Sequence, residues 1–121
     1  MGLLKSKPAL SREEALAALP TRLPSMSEAP IDEGTGLRVT VKVAPARWQR
    51  WLGSGGQVKR SFDLDALGVE IYRACDGHTN VRDIVAKFGK RHGLGKPEAE
   101  ISVTQFLNTL MSRGLIAMEV E

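Results

Sequence analysis

The segment from Asp65 to Gly114 has the pattern of three short amphipathic helices. Apolar residues recur at helical spacing in each, and residues that favour helix N-termini precede the first two, namely Asp65 and Asn80. Pro97 suits the first turn of the third helix. Glycine, which readily adopts the left-handed conformation of helix ends, predicts where each helix stops: Gly77, Gly93 and Gly114.

The residues that precede these helices have the alternation of half-buried strands. Residues 37–43 alternate strictly between apolar and polar, and Pro45 ends the run. Residues 57–64 predict a second strand, and Arg60 on its apolar face indicates an edge position. Residues 115–120 predict a last short strand. The sequence therefore predicts an α+β fold, winged-helix-like, with a small antiparallel sheet and a three-helix bundle.

The first 36 residues differ from the rest. Ser11 and Glu14 match a capping box for one short helix, which Pro20 is predicted to end. The stretch Thr21–Gly36 contains prolines and glycines among polar residues and is predicted to be linker or irregular coil. We therefore predict an N-terminal extension over residues 1–36 and a winged-helix-like domain over residues 37–121.

Composition restricts the class of protein. A chain of 121 residues suffices for one domain, and its formal net charge is +3. The single cysteine, Cys75, excludes an internal disulfide and fits a cytoplasmic protein. No apolar run approaches the roughly 20 residues that a membrane-spanning helix needs. We expect a cytoplasmic protein with no membrane partner.

Residues that could support catalysis or metal binding are few. Cys75, His78 and His92 do not make up a zinc site, which needs about four ligands at recognisable spacing. Cys75 falls on the apolar stripe of its helix, where a small buried side chain is expected. There is no glycine-rich phosphate loop after a strand, and no nucleophile with a plausible base. The sequence predicts no catalytic residues, no metal, no cofactor and no enzymatic activity.

Ordered segments beginning at Phe62, at Asn80 and in the third helix resemble the PqqD-like family. Phe62–Ile71 continues into Cys75-Asp76-Gly77 and then into Asn80–Ile84, with family-like spacing. The third helix agrees through Val103, Phe106-Leu107, Leu110 and Arg113-Gly114-Leu115. The resemblance covers roughly residues 62–116. The long N-terminal extension and the insertion that contains Trp48 and Trp51 depart from the compact members of the family.

The resemblance implies a peptide-binding accessory protein. PqqD-like domains recognise the leader of a ribosomally made precursor peptide, in pyrroloquinoline quinone and related maturation systems. They present it to a modifying enzyme, often a radical S-adenosylmethionine enzyme. The peptide is added as a strand beside the last strand before the first helix and lies against the third helix. Carried onto this sequence, the resemblance implies these peptide-binding residues: Val58, Lys59, Arg60, Phe62, Ser102, Gln105, Phe106 and Thr109.

Two other functions remain as alternatives. A winged-helix layout also occurs in DNA-binding regulators, but Glu98 and Glu100 stand at the helix end that would contact bases, so nucleic acid is not favoured. A scaffold could instead form by pairing the edge strands of two copies, as a homodimer. The Trp48 and Trp51 turn is predicted to cover the open side of the sheet, with docking to a partner or a membrane surface as the alternative.

Overall fold

A computed structural model describes residues 11–43 and 58–119 of the chain. The predicted turn with Trp48 and Trp51 lies outside the described residues, as does Gln57. The elements in chain order are α1 (Arg12–Ala17), β1 (Leu19–Arg22), β2 (Ser27–Ile31), β3 (Gly36–Val43), β4 (Val58–Leu64), α2 (Ala66–Ala74), α3 (Val81–His92), α4 (Lys96–Ser112) and β5 (Ile116–Glu119). Among the described residues, no helix combines the length and the apolar character needed to cross a membrane.

The strands form two antiparallel sheets. One has three strands in the order β2, β3, β4, and the other pairs β1 with β5. In the larger sheet, Leu37 lies opposite Leu64 and Val43 lies opposite Val58. The predicted α+β class, with small antiparallel sheets and several helices, is therefore confirmed. The more specific description as winged-helix-like stays a prediction.

The core lies between the inner face of β3 and the helices. Leu37, Val39 and Val41 are buried while the residues between them point outward, as the alternation predicts. The helices bury most of the apolar stripes read from the sequence, although Leu67 of α2 is exposed. The largest side chains that they enclose include Tyr72, Ile71 and Leu110. At about 25 cal/mol per Å² of apolar surface removed from water, this burial is the main favourable contribution to folding.

The predicted helix starts are confirmed. The Asp65 carboxylate accepts a hydrogen bond from the Gly68 amide at 2.8 Å, and the Asn80 side chain accepts one from the Asp83 amide at 2.8 Å. The capping box of α1 is also present. Gly93 adopts the left-handed conformation at the end of α3, with φ of 66°. Short capping side chains thus set where α1, α2 and α3 begin, whereas α4 begins after Gly95 with Pro97 in its first turn and no side-chain cap.

The role predicted for Gly77 is wrong. Helix α2 ends at Ala74, three residues before this glycine. Gly77 has a positive φ of 79°, and its amide donates to the Pro20 carbonyl at 2.9 Å. A side chain here would come within 3.2 Å of the Thr21 hydroxyl. The glycine therefore allows β1 to approach the α2–α3 turn and does not cap a helix.

The prediction of irregular coil for Thr21–Gly36 is also wrong. Strand β1 ends at Arg22 within this stretch, and β2 occupies Ser27–Ile31. The prolines mislead because β2 is an edge strand of its sheet, where a missing amide donor is tolerated. Four of the five β2 residues are exposed, so the strand has no alternating apolar pattern that could have revealed it.

The first elements are bound closely to the helices. Leu16 of α1 and the adjoining Ala18 are buried in the core. Arg12 forms a two-pronged ion pair with Glu100 of α4, with nitrogen–oxygen distances of 2.8 and 2.7 Å. The division of the chain between residues 36 and 37 stays a prediction, although β2 and β3 lie on either side of it and belong to one sheet.

Helix α4 ends in a glycine motif. Arg113 is the C-cap residue of α4, and Gly114 follows with a φ of 75°. The Gly114 amide donates to the Met111 carbonyl, and the Leu115 amide donates to the Leu110 carbonyl, both at 3.0 Å. This pair of bonds is the Schellman arrangement, which satisfies carbonyls at a helix end. It fixes the direction in which the chain leaves Arg113.

Replacing Gly114 should therefore lower stability. Gly114→Ala should reduce the free energy of unfolding by about 1 kcal/mol, because a Cβ atom disfavours the left-handed conformation. No heavy atom lies within 4 Å of the position that a Cβ would take, so a clash would contribute nothing. Chemical denaturation measures the change. Gly114→Asn is the matched control and should lose less, since asparagine tolerates this conformation. Equal losses would contradict the backbone explanation.

Tyr72, the only tyrosine in the chain, joins α2 to β2. Its hydroxyl donates to the Glu28 carboxylate at 3.0 Å. Burial raises the pKa of Tyr72 to about 12, and the bond to Glu28 acts in the same direction. Both effects favour the neutral phenol in the folded state.

Alkaline titration should detect this shift. In the folded chain, the ultraviolet absorbance of the phenolate should appear with a midpoint near pH 12, against 10.0 for the ordinary phenol. Between these values only the unfolded phenol ionises, so stability should fall as the pH rises through this range. The same titration in denaturant supplies the control. A midpoint near 10 in the folded chain would contradict the buried hydrogen bond.

Candidate functional site

Strand β4 has one free edge among the described residues. On its other side it pairs with β3, with Thr40 opposite Ser61. The Thr40 carbonyl accepts from the Met26 amide at 2.8 Å, so the Thr40 backbone faces β2. Backbone groups of successive residues in a strand point to opposite edges, and two residues opposed in an antiparallel pair either face each other and share hydrogen bonds or both face away from each other. Since Thr40 faces β2, its partner Ser61 faces the opposite edge. The backbone groups of Ser61, and by alternation those of Lys59 and Asp63, therefore point to the free edge.

A cleft opens between this edge and α4. Its volume is about 330 Å³. The apolar part of its wall comes from Leu64 on the strand and from Phe106 and Leu110 on the helix. The remaining lining residues are Asp63, Asp65, Gly68, Gln105, Thr109 and Arg113. A wall of this kind suits an apolar side chain that enters from an adjacent backbone.

A second depression of about 440 Å³ continues the cleft toward the start of β4. It shares Asp63 and Arg113 with the first, and its other lining residues are Arg38, Ser61 and Phe62. The two together form one open channel beside the strand, which we call the β4–α4 groove. A groove that follows an unpaired strand edge offers both backbone partners and side-chain pockets.

Helical spacing explains which α4 residues reach the groove. Phe106, Thr109 and Arg113 are three and four residues apart, so they lie on one face of the helix. This face lies beside the buried stripe, and Phe106 and Arg113 are accordingly half-buried whereas Thr109 is exposed. The Schellman motif that follows places Arg113 at the last turn, where the groove meets Phe62.

Arg113 and Phe62 connect the helix to the strand. The guanidinium carbon of Arg113 lies 5.3 Å from the centroid of the Phe62 ring. A cation over an aromatic face is attracted by the electron density of the ring. The contact holds a positive charge where the two depressions of the groove meet.

Asp63 is neutralised by its neighbour on β3. Arg38 contacts both of its carboxylate oxygens, at 2.7 and 3.1 Å, from the directly opposite position in the sheet. Hydrogen bonding to this guanidinium lowers the pKa of Asp63. Beside this pair, the hydroxyls of Thr40 and Ser61 are 2.8 Å apart. The outward face of the two strands is thus polar, with its acid already paired.

The comparison with protein families identifies the chain. The family model described as coenzyme PQQ synthesis protein D (PqqD) matches residues 42–116, which is more than half of the chain. The chain belongs to the PqqD family. The matched region includes β4, all three long helices and every residue that lines the β4–α4 groove except Arg38. Searches of curated proteins and of solved structures returned no match.

Membership in the PqqD family confirms the resemblance read from the sequence. Of the residues that it implies for peptide binding, Phe62, Gln105, Phe106 and Thr109 line the groove. Lys59 and Arg60 are exposed on β4, which begins at Val58. Ser102 is half-buried and lines neither depression. That these residues bind a peptide stays a prediction.

Sequence reasoning did not assign several groove residues to the site: Arg38, Asp63, Leu64, Asp65, Gly68, Leu110 and Arg113. The spacing of Arg113 from Phe106 and Thr109 was a usable signal, because all three share one helix face. Arg38 and Asp63 gave no comparable signal, since their contact depends on the register between two strands that lie far apart in the sequence.

The residues considered for nucleophilic or metal chemistry lie away from the groove. Cys75 is fully buried, its thiol donates to the Ile71 carbonyl at 3.2 Å, and burial raises its pKa to about 12. A thiol of this kind is not a nucleophile at neutral pH. His92 Nε2 lies 2.8 Å from a Glu70 carboxylate oxygen. Among the described residues, no group of three or more potential metal ligands occurs.

The Arg38–Asp63 pair leads to a prediction about proton affinity. Arg38→Gln should raise the pKa of Asp63 toward its ordinary value of 3.8, because the bound guanidinium that favours the carboxylate is lost. Carboxyl-carbon chemical shifts followed against pH measure this. Lys42→Gln removes the same charge from the same strand, opposite Lys59 and away from Asp63, and should leave that pKa unchanged. If both variants behave alike, Arg38 is not the cause.

Proposed function

We propose that this protein is a non-enzymatic accessory protein that binds a ribosomally made precursor peptide and presents it to a separate modifying enzyme. Members of the PqqD family act as non-catalytic accessory proteins with a peptide-binding role, which supports the general function. The observation that carries the mode of binding is the free edge of β4 next to the groove with α4. The peptide pairs with this edge as an additional strand.

The chemistry of the groove fits this mode. An added strand receives hydrogen bonds from backbone groups that otherwise face water at Lys59, Ser61 and Asp63. Every second side chain of the ligand then points toward α4, where Phe106 and Thr109 line the wall. Backbone pairing gives affinity to any extended peptide, and the pockets give selectivity.

The modifying enzyme is the second proposed partner. The family resemblance favours a radical S-adenosylmethionine enzyme. The groove is an open channel, and a peptide held along one strand edge keeps its flanking residues outside the domain. Those residues are available to the active site of another protein, which is what presentation requires.

Pairing between two copies competes for the same groups. A second molecule could add its own β4 to the free edge and form a homodimer. Peptide binding and dimerisation would then exclude each other. The mass in solution, measured with and without bound peptide, distinguishes an accessory monomer from an edge-paired scaffold.

A proline at Lys59 tests the mode of binding. Its amide faces the free edge, so Lys59→Pro removes one donor to the ligand and leaves the bonds to β3 in place. Affinity should fall at least about tenfold, from the lost bond and the proline ring that takes its place at the edge. Peptides selected on the full chain from a random displayed library serve as probes, and fluorescence anisotropy measures binding.

Two variants control this experiment. Lys59→Ala removes the same side chain but keeps the amide, and should bind the selected peptides almost normally. Arg60→Pro removes an amide that faces β3, so it should lower the melting temperature by disrupting the sheet. Unchanged affinity of a folded Lys59→Pro protein would rule out the β4 edge as the site of strand addition.

A further inference from the structure

The carboxylates of the β4–α4 groove are already committed to partners within the protein. Asp63 is held by Arg38 through two short hydrogen bonds. Asp65 accepts the Gly68 amide at the start of α2. Neither needs a cation from a ligand, and both would repel an acidic group placed directly against them.

Two cations line the described groove: Arg38, which is paired with Asp63, and Arg113. Arg113 lies over the Phe62 ring and, within residues 11–43 and 58–119, has no carboxylate within ion-pair distance. Arg60 is exposed at the start of the same strand and likewise has no acidic partner in those ranges. The place where the two depressions meet therefore presents the uncompensated positive charge of Arg113, which is already half-buried and held in place.

Strand geometry relates this charge to the apolar cleft. Leu64 and Phe62 are two residues apart and therefore point to the same face of the sheet, toward α4. A ligand residue opposite Leu64 lies over the cleft with Phe106 and Leu110. The ligand residue opposite Phe62, two positions along and about 6.8 Å away, lies beside Arg113.

We propose that the groove selects peptides in which an apolar residue and an acidic residue are separated by one position, and that Arg113 binds the acidic side chain. This inference rests on the proposed function and names the class of peptide that the site accepts. The apolar side chain fills the cleft beside Leu64. The carboxylate approaches the guanidinium from the open side, opposite the Phe62 ring.

Physical chemistry favours an acid at this position. Hydrogen bonds between guanidinium and carboxylate are stronger than neutral ones, and Arg113 is pre-positioned by its aromatic contact. A lysine or arginine of the ligand would meet repulsion from Arg113 and, two residues further on, from Arg60. Acidic residues therefore gain affinity and basic residues lose it, which is the basis of selection.

A nucleic acid is the rival ligand for such cations, since phosphates also bind arginine. The groove favours a peptide, because the free edge supplies alternating amide and carbonyl groups that match a polypeptide backbone. Asp63 and Asp65 also lie along the path that a phosphate chain would follow. Competition by oligothymidylate is included in the test for this reason.

The experiment begins with selection on the full chain. Random peptides about ten residues long, which exceed a typical strand, are displayed and enriched on the immobilised protein. The expected product is a set of sequences with an apolar residue and an aspartate or glutamate two positions apart. Oligothymidylate should not displace them.

Exchange of charge then tests the pairing. With one selected peptide, Arg113→Gln should weaken binding about tenfold, as expected for loss of a charge-assisted contact. Arg113→Glu should weaken binding of this peptide further. The same variant should bind a version of the peptide with lysine in place of the acid more tightly than it binds the original. Arg82→Gln, an equal loss of charge on the exposed face of α3, should change affinity less than about twofold.

The outcomes are distinguishable. If selected peptides bind and require the β4 edge, but carry no acid at this spacing and ignore Arg113→Gln, the inference is overturned and the proposed function stands. If Lys59→Pro has no effect or no peptide is recovered, both fail. Displacement by oligothymidylate overturns the inference in favour of nucleic acid. Circular dichroism of each variant establishes that lost binding is not lost folding, and Arg113→Gln suffices if Arg113→Glu does not fold.

Discussion

Strand β3 is the element on which the rest of the structure depends. It is paired on both sides, with β2 and β4, and buries Leu37, Val39 and Val41 beneath the helices. Side chains alternate between the two faces of a strand, so a change of its pairing register by one residue would move these three apolar side chains to the solvent face. The same register determines the direction of the β4 backbone. The packing of the core therefore determines which backbone groups of β4 point to the free edge.

The residues that form the groove also stabilise the fold, as helix caps or as a cross-strand pair. Asp65 starts α2, Gly114 ends α4, and Arg38 and Asp63 are a cross-strand pair in the sheet. Each also shapes or borders the groove. The paired Asp63 and the stacked Arg113 leave a defined positive charge where the two depressions meet. Among the described residues, no buried side-chain nitrogen or oxygen lacks a hydrogen-bond partner.

Most of the helical part of the fold could be predicted from the sequence, and less of the strands. Helical spacing and short capping side chains are local signals, so α2, α3 and α4 and the starts at Asp65 and Asn80 could be read directly. The alternation of β3 was equally local. Strand β2 could not be found this way, because it lies at a sheet edge, is mostly exposed and contains Pro30. Likewise, β1 is defined by contacts with distant residues.

The groove residues likewise divide into those that local sequence patterns indicate and those that depend on contacts between distant segments. Phe106 and Thr109 follow from one face of one helix, and the family resemblance pointed to them. The pairing of Arg38 with Asp63 and the approach of Arg113 to Phe62 join separate elements, so they depend on register and packing that no single segment encodes. Gly77 illustrates the limit most simply: its conformation was foreseeable, but its reason lies in the contact with Pro20 and Thr21.

The pairing of β1 with β5 has a consequence for synthesis on the ribosome. Leu19 lies opposite Glu119, which is 119 − 19 = 100 positions further along the chain. The helices can form from neighbouring residues as they emerge, whereas β1 must wait until β5 has left the exit tunnel. During that interval β1 and the adjoining Ala18 can already form their bonds to the α2–α3 turn, through the Gly77 and Val81 amides, but β1 lacks its partner strand. Closing the β1–β5 pair is therefore a late step in the folding of this domain.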